Sequence, residues 1–179
     1  GILVSVFVFF APQDIASYAM IAIIALLCIT SIMIKNGARI PLISKIVLKF
    51  ERKKDIIKFP LKGTVFFMAG AFITLLLFEK TIASAAILIL ALGDCLSTLV
   101  GKPFGMTKHP HNIKKSIEGS VAGFFGAFIG VLFLVSPKVA FVGAFAGMFV
   151  ESLDLKFFGI SVDDNFSMPI IAGAVMMLI

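Results

Sequence analysis

The sequence is poor in the residues that form disulfides, zinc sites and common phosphate-binding loops. It has two Cys, Cys28 and Cys95, both inside apolar runs, so neither a disulfide framework nor a Cys-based metal site is indicated. Neither GxxxxGK[ST] nor HExxH occurs, which excludes the P-loop and the helical zinc-protease motif. Trp is absent, and only 15% of the residues are charged, which is too few for an ordinary soluble domain.

The sequence instead has a large excess of apolar residues, which make up 60% of its 179 residues. Their grouping into runs predicts an all-α, polytopic transmembrane helical bundle with about seven spans, the first of them incomplete. The whole chain, residues 1–179, is predicted to form one integral-membrane catalytic domain. The predicted segments are Ile2–Ala11, Ile15–Ile34, Gly63–Phe78, Ile82–Val100, Ile117–Val135, Val139–Leu153 and a last one from Phe166 onward.

The basic residues predict how the bundle is oriented. Of the 16 Lys and Arg residues, 14 lie in the connections after the second, fourth and sixth segments, and only Lys80 and Lys138 lie on the other side. This asymmetry predicts that the basic side is cytoplasmic, and it explains the net charge of +6 without a nucleic-acid partner. Within residues 38–62, apolar residues at helical spacing predict an amphipathic helix at the membrane interface, with a solvated linker as the alternative.

Acidic residues occur where a membrane protein rarely tolerates them. Asp94 lies within an apolar run, and four further acids lie at the predicted cytoplasmic ends of spans: Glu118, Glu151, Asp163 and Asp164. Acids in such places are costly and indicate function, so we expect these helix ends to converge on one site. The alternative for each acid is an interfacial residue paired with a nearby lysine. Clustered carboxylates beside the oxygen-bearing Asn165, Ser97 and Thr98 suit Mg²⁺, which prefers oxygen ligands.

Residues 101–116 predict a cytoplasmic nucleotide-binding loop. Its cations suit a polyphosphate, and a Ser at the start of the next helix predicts a cap whose helix end faces the same anion. The residues concerned are Lys102, Lys114, Lys115, Ser116 and Gly119. His109 and His111 are expected to be solvated loop residues.

Glycines at short steps in the fifth and sixth segments predict close helix packing, either within one chain or between copies in a homo-oligomer. Gly143, Gly147 and Glu151 follow one another at four-residue steps in the sixth segment. Glu151 therefore shares the packed face of this helix and is expected to point into the bundle.

Three stretches resemble the CTP-dependent lipid kinases, the family of dolichol, phytol and farnesol kinases and the fungal CTP-dependent diacylglycerol kinase. The resemblance covers Ala38–Ile179, and the stretches are Gly93–Gly101, Lys114–Gly123 and Glu151–Ser152 followed by Asp163–Pro169. The related phosphatidate cytidylyltransferases share the first two stretches but usually close with His-Gly-Gly and Asp-Arg-x-Asp. Asp163-Asp164-Asn165 stands there instead, which favours the kinases.

The resemblance implies transfer of a phosphoryl group from CTP, with Mg²⁺, to the hydroxyl of a membrane lipid at the cytoplasmic face. It implies Asp94 and Asp164 as leading metal ligands, supported by Glu151 and Asp163, with either leading acid as the proton acceptor. It implies phosphate or nucleotide contacts from Lys102, Lys114, Lys115, Ser116, Gly119 and Asn165, and Glu118 as a metal ligand or an anchor for the lysines.

Three other functions remain as alternatives. A cytidylyltransferase would form a CDP-lipid and release pyrophosphate instead of CDP. An ion-coupled transporter would need acids along a path across the membrane, which the one-sided distribution disfavours. A structural membrane subunit would need none of these residues for activity.

Overall fold

A computed structural model describes residues 1–38, 58–110, 112–113, 115–153, 156–157 and 160–179. Most of the predicted interfacial helix of residues 38–62, together with Lys114 and His111, lies outside the described residues. In the described part, seven α-helices and one short hairpin follow one another along the chain. The helices are α1 (Ile2–Phe10), α2 (Gln13–Lys35), α3 (Lys62–Leu77), α4 (Lys80–Phe104), α5 (Ile117–Val131), α6 (Pro137–Ser152) and α7 (Asp164–Met177).

The hairpin connects α6 to α7 and was not expected from the sequence. Strand β1 (Lys156–Phe157) pairs antiparallel with β2 (Ile160–Ser161), with Lys156 opposite Ser161 and Phe157 opposite Ile160. With two residues in each strand, it leaves the predicted all-α class intact in the part of the chain that is described.

Helix α4 is the central helix, because it packs against α1, α3, α5, α6 and α7. One buried cluster lies between α4, α5, α6 and α7 and includes Ile89, Met148 and Met168. A second lies between α1, α2, α3 and α4 and includes Met20 and Ile87. Small residues along α4, including a buried run Ala83–Ala86, let neighbouring helices approach on several sides.

The glycines of α5 allow its close contact with α4. A Cβ atom on Gly123 would lie 2.7 Å from the Gly93 carbonyl oxygen, and one on Gly119 would lie 2.6 Å from the Ser97 carbonyl oxygen. Gly126 and Gly130 likewise face the side chains of α4. The predicted packing role of these glycines is confirmed within one chain.

Two of the described helices, α2 and α4, are long and apolar enough to cross a membrane, and α3 and α5 are apolar but shorter. The coarser prediction of apolar, membrane-type helices is therefore met, whereas seven spans are not confirmed.

The predicted boundaries differ most in α4 and α5. Helix α4 continues past the predicted end at Val100 to Phe104, through Lys102 and Pro103, and α5 stops at Val131 rather than Val135. Residues 101–104 thus belong to a helix and not to the predicted loop. A proline so near the end of a helix is tolerated because only the last turn is affected.

Candidate active site

Three helices bring a carboxylate to the ammonium group of Lys115. Its Nζ atom lies 3.4 Å from Oδ1 of Asp94 on α4 and 3.4 Å from Oδ2 of Asp164 on α7. It also contacts Oε1 of Glu151, the second-last residue of α6. These four residues are separated by up to 70 positions in sequence and meet because the last turn of α6 and the first turn of α7 pack against α4 at Asp94, ten residues before the end of α4. Three of the five acids that were expected to converge on one site therefore lie together at Lys115.

The carboxylates differ in how much water reaches them. The side chain of Glu151 is 1% exposed, whereas those of Asp94 and Asp164 are 43% and 37% exposed. Glu151 therefore points into the bundle, as expected from its place on the packed face of α6. Ser97, one turn after Asp94 on α4, donates a 2.5 Å hydrogen bond to Oε1 of Glu151. The cluster thus has one buried carboxylate and two that remain open to a ligand.

The charges around Lys115 keep its ammonium protonated. Burial by itself lowers the pKa of Lys115, but the negative charges of Glu151, Asp164 and Asp94 outweigh it and raise the pKa above its ordinary value. Lys115 is therefore a permanent cation at neutral pH. Such a group suits electrostatic contact with phosphate oxygens rather than proton transfer.

A second ion pair lies next to the first. Lys62, the first residue of α3, places Nζ 3.3 Å from Oδ2 of Asp163. Asp163 caps the N-terminus of α7, and its Oδ1 accepts a 2.9 Å hydrogen bond from the Asn165 side chain. The adjacent acids Asp163 and Asp164 therefore pair with different lysines, because successive residues at a helix start point in different directions.

The connector between α4 and α5, residues 105–116, carries Lys115 and is fixed by hydrogen bonds. The Ile117 N–H donates to the Thr107 carbonyl at 3.0 Å, and the Thr107 N–H donates to Oε1 of Glu118 at 3.0 Å. His109 Nε2 lies 2.9 Å from Oγ of Ser120, so this histidine is bonded to α5 and is not the solvated loop residue that was expected. Both ends of the connector are thereby tied to the first turn of α5.

Ser116 lies at a crowded corner below the connector. Its side chain accepts a 3.2 Å hydrogen bond from the Gly119 N–H, which confirms the predicted cap of α5. Cβ atoms on Gly101, Gly105 and Gly119 would lie within 3.0 Å of its side-chain oxygen. The structure thus gives these glycines a packing reason, separate from the predicted nucleotide contact of Gly119.

The remaining predicted residues lie around the cluster without joining it. Glu118 is partly buried, and its carboxylate receives the Thr107 N–H instead of a lysine. Lys102 is exposed on the last turn of α4 and forms no ion pair within the described residues. The proposed roles of Lys102, Glu118, Ser116, Gly119 and Asn165 stay predictions.

Two polar residues of this region were not among the predicted site residues: Lys62 and His109. Ser97 was expected beside the acids, and it lies on the same helix face as Asp94 because it follows it by three positions. Lys62 had no such signal, since its partner is 101 positions away and is reached only through packing of α3 on α7.

The donor set fits a hard divalent cation. All three carboxylates around Lys115 offer oxygen, and Oε2 of Glu151 is buried with no hydrogen-bond partner within the described structure. Among the described residues, no three acidic, His or Cys side chains lie close enough together to bind a metal ion as they stand. The Lys115 ammonium occupies the position where the carboxylates converge.

Known proteins similar to this chain include three named enzymes. The CTP-dependent diacylglycerol kinase 1 of Schizosaccharomyces pombe is 28% identical over 138 residues, which cover 65% of this chain and 60% of that protein. The phytol kinase 1 of Arabidopsis thaliana is 30% identical over 62% of this chain and 41% of its own length. The probable phytol kinase 1 of Glycine max is 27% identical over 80% of this chain and 52% of its own length. The three relatives support a CTP-dependent lipid kinase family.

These relatives support the prediction that the chain is an enzyme, and they confirm its resemblance to the CTP-dependent lipid kinases, at 27–30% identity. The chain spans between 41% and 60% of the length of these three lipid kinases. No protein-family model matches the chain, and no solved structure matches it.

Proposed function

We propose that the chain is a CTP-dependent lipid-alcohol kinase with its active site at the cytoplasmic surface of a membrane. The observation that carries the proposal is the meeting of Asp94, Glu151 and Asp164 on one lysine. The names of the relatives support the donor and the class of acceptor, since one is a CTP-dependent diacylglycerol kinase and two are phytol kinases. The acceptor is thus a membrane lipid that carries a hydroxyl group.

In the proposed reaction, the lipid hydroxyl oxygen forms a bond to the γ-phosphorus of CTP. The bond between that phosphorus and the β–γ bridging oxygen breaks, and CDP leaves. The hydroxyl proton passes to a carboxylate, for which Asp94 and Asp164 qualify because their side chains are 43% and 37% exposed. Glu151, almost fully buried, pairs with the same Lys115 ammonium instead.

The chain's own cations would provide much of the stabilisation. Phosphoryl transfer depends mainly on positioning and on neutralising charge on the phosphate oxygens. Lys115 lies between the two exposed acids and is proposed to contact the transferred group. Lys62, beside Asp163, is proposed to contact the phosphates on the α3 side of the site. Lys114, next to Lys115 in the sequence, is proposed to support nucleotide binding, whereas Lys102, on the last turn of α4, is left out of the proposed nucleotide site.

Mg²⁺ is the cofactor that the donor set favours. Asp94, Glu151 and Asp164 would hold it, with Asp163 as a support, through oxygens that now contact lysines or, for Glu151 Oε2, have no partner. When bound, the ion supplies neutralisation of charge on the nucleotide phosphates.

The membrane placement follows from the distribution of charge along the chain. The sequence predicts that the cations of the connections after the second, fourth and sixth segments share one side with the acids, and α2 and α4 are long enough to cross the bilayer. We propose that the lipid enters sideways between helices, with its hydroxyl at the level of Asp94 and Asp164. The chain is accordingly a multi-pass protein in this proposal.

The test is a product assay with purified protein in lipid nanodiscs, CTP labelled on the γ-phosphate, Mg²⁺ and a panel containing phytol, diacylglycerol and a polyprenol. The proposal expects label on a lipid and an equal amount of CDP. Release of pyrophosphate with formation of a CDP-lipid would replace it with the cytidylyltransferase alternative. Replacing CTP by ATP in parallel identifies the donor, and ion flux without nucleotide turnover would favour the transporter.

A further inference from the structure

The last residue of α4 and the connector that follows it expose large apolar side chains. Phe104, Met106 and Ile113 are 67%, 91% and 77% exposed, and we call these three residues the apolar tip. Solitary exposed apolar residues are common on proteins, but three of them in the ten residues 104–113, just before the site residue Lys115, call for a partner.

This exposure belongs to a connector with defined geometry. Beyond the bonds of Thr107 to α5, the His109 N–H donates to the Lys115 carbonyl at 3.2 Å, and the Lys115 N–H donates to the Asn112 carbonyl at 3.0 Å. The apolar tip is therefore held outward by the same framework that positions Lys115 among the carboxylates.

Two features of the molecule identify the partner. First, α5, which follows the connector, carries exposed apolar residues at four-residue steps: Ile117, Val121, Phe125 and Ile129. Second, Lys102 and Lys108 beside the tip are exposed and form no ion pair within the described residues. Apolar side chains flanked by free lysines match the boundary between anionic headgroups and acyl chains.

We propose that the apolar tip inserts into the headgroup–acyl boundary of an anionic bilayer and thereby sets the height of the active site at the membrane surface. The proposal rests on the proposed function for the assumption that the chain works in a bilayer. It adds which segment contacts the lipid surface, and it makes the connector both the membrane contact and the carrier of Lys115. Lys102 and Lys108 bind headgroup phosphates in this arrangement, while Lys115 faces the carboxylates.

The absence of Trp gives a clean experiment. Single variants Met106→Trp and Ile113→Trp are placed in nanodiscs containing anionic lipid, and their fluorescence is measured with brominated lipids and with aqueous iodide. Phe125→Trp is the reference for a side chain on the apolar stripe, and Asn36→Trp, in the polar turn after α2, is the aqueous reference.

We expect both tip reporters to be quenched most by lipids brominated near the headgroup, and iodide to quench them at least about twofold less than the Asn36 reporter. Lys102→Gln with Lys108→Gln should reduce this protection in anionic nanodiscs and leave it unchanged in neutral ones. If iodide quenched the tip reporters as strongly as the Asn36 reporter while lipid still quenched the Phe125 reporter, the tip proposal would be overturned and the proposed function would not.

Other outcomes separate this proposal from the proposed function. Loss of lipid quenching at Phe125 as well would count against the membrane placement itself. Protection at Met106 that rises with the number of protein copies per nanodisc, without lipid quenching, would assign the tip to a contact between copies and overturn the bilayer contact. None of these measurements needs turnover, so an inactive preparation still tests the tip.

Discussion

The two ends of the helical bundle use charged residues in different ways. At the end where α4 and α6 finish and α7 begins, four acids and two lysines form ion pairs between separate helices. At the opposite end, Glu79, Lys80 and Lys138 lie at short connections and form no ion pair within the described residues. Apolar contacts such as Gly173 against Phe78 hold that end together. The charged residues at the opposite end lie only at helix boundaries, whereas those at the first end form the candidate active site.

Removing one carboxylate at the site end should give the largest effect on activity. We expect Asp94→Asn and Asp164→Asn each to reduce turnover of CTP by about 100-fold to 1,000-fold, because each removes charge next to the transferred phosphoryl group. Release of CDP measures the change. Glu79→Gln is the matched control at the opposite end and should keep nearly full turnover. If Glu79→Gln lost as much turnover as Asp94→Asn, the acids at the two ends of the bundle would not differ in function.

Removing the central cation should change stability and metal binding together. Lys115→Met leaves three carboxylates without their partner, including the buried Glu151, and should lower the free energy of unfolding by about 3–5 kcal/mol. Because a divalent cation would use the same oxygens, Mg²⁺ should restore more thermal stability in this variant than in the original chain.

Lys102→Met is the control for this prediction, since Lys102 forms no ion pair among the described residues. Its melting temperature and its response to Mg²⁺ should match those of the original chain. A Lys115→Met variant whose melting temperature does not respond to Mg²⁺ would argue against a metal at these carboxylates.

Crowding the interface between α4 and α5 should affect folding without affecting the chemistry. In Gly123→Ala, the added methyl group would lie 2.5 Å from Cε of Met148 and 2.7 Å from a backbone oxygen of α4, so the helices must separate. We expect a loss of about 1–3 kcal/mol in stability, measured by thermal unfolding in detergent. Turnover per folded molecule should remain close to that of the original chain.

Gly63→Ala provides the comparison, because its new Cβ atom would lie 3.9 Å from the Asn165 side chain, an ordinary contact. Its melting temperature should hardly change. If Gly123→Ala were equally neutral, the close approach of α4 and α5 would not be required for the fold.

The smallest expected effect belongs to the second ion pair. Lys62 is 39% exposed and has one acidic partner, whereas Lys115 is 22% exposed and has three. Lys62→Met should therefore raise the KM for CTP about tenfold, since one charge-assisted contact is lost, and leave kcat within a few-fold. Lys62→Arg should restore most of the KM. A fall in kcat as deep as that of Asp94→Asn would place Lys62 at the transferred group itself.

Much of the architecture follows from the sequence because apolar runs are long-range signals. The predicted limits of the second, third and sixth segments lie within two residues of α2, α3 and α6. The end of α4 was missed because Gly101, Lys102 and Pro103 all favour termination, yet the Gly105 N–H still bonds to the Gly101 carbonyl at 3.1 Å. Local propensity was overridden by the packing of this last turn against Ser116.

Four of the five acids that were expected to converge lie at the two lysines, because costly acids near helix ends have few explanations other than a shared site. Glu118 does not join them, since its carboxylate accepts the Thr107 N–H. The pairing within the cluster did not follow from the sequence. Which of Asp163 and Asp164 meets Lys115 depends on the rotation of α7, and the partner of Asp163 depends on how α3 packs against α7. Both the rotation of α7 and the packing of α3 against it arise only in the assembled bundle, so they could not be predicted from the sequence.

The corner around Ser116 limits how this protein can be diversified. Gly101, Gly105 and Gly119 close on the Ser116 hydroxyl, and Cβ atoms on Gly105 and Gly119 would also lie within 2.6 Å of backbone oxygens of α4, so these two positions have no room for a side chain. A library that randomises positions 105 and 119 should return almost nothing but glycine there. Changes in substrate preference are better sought along the membrane-facing helix surfaces, where side chains have room to vary.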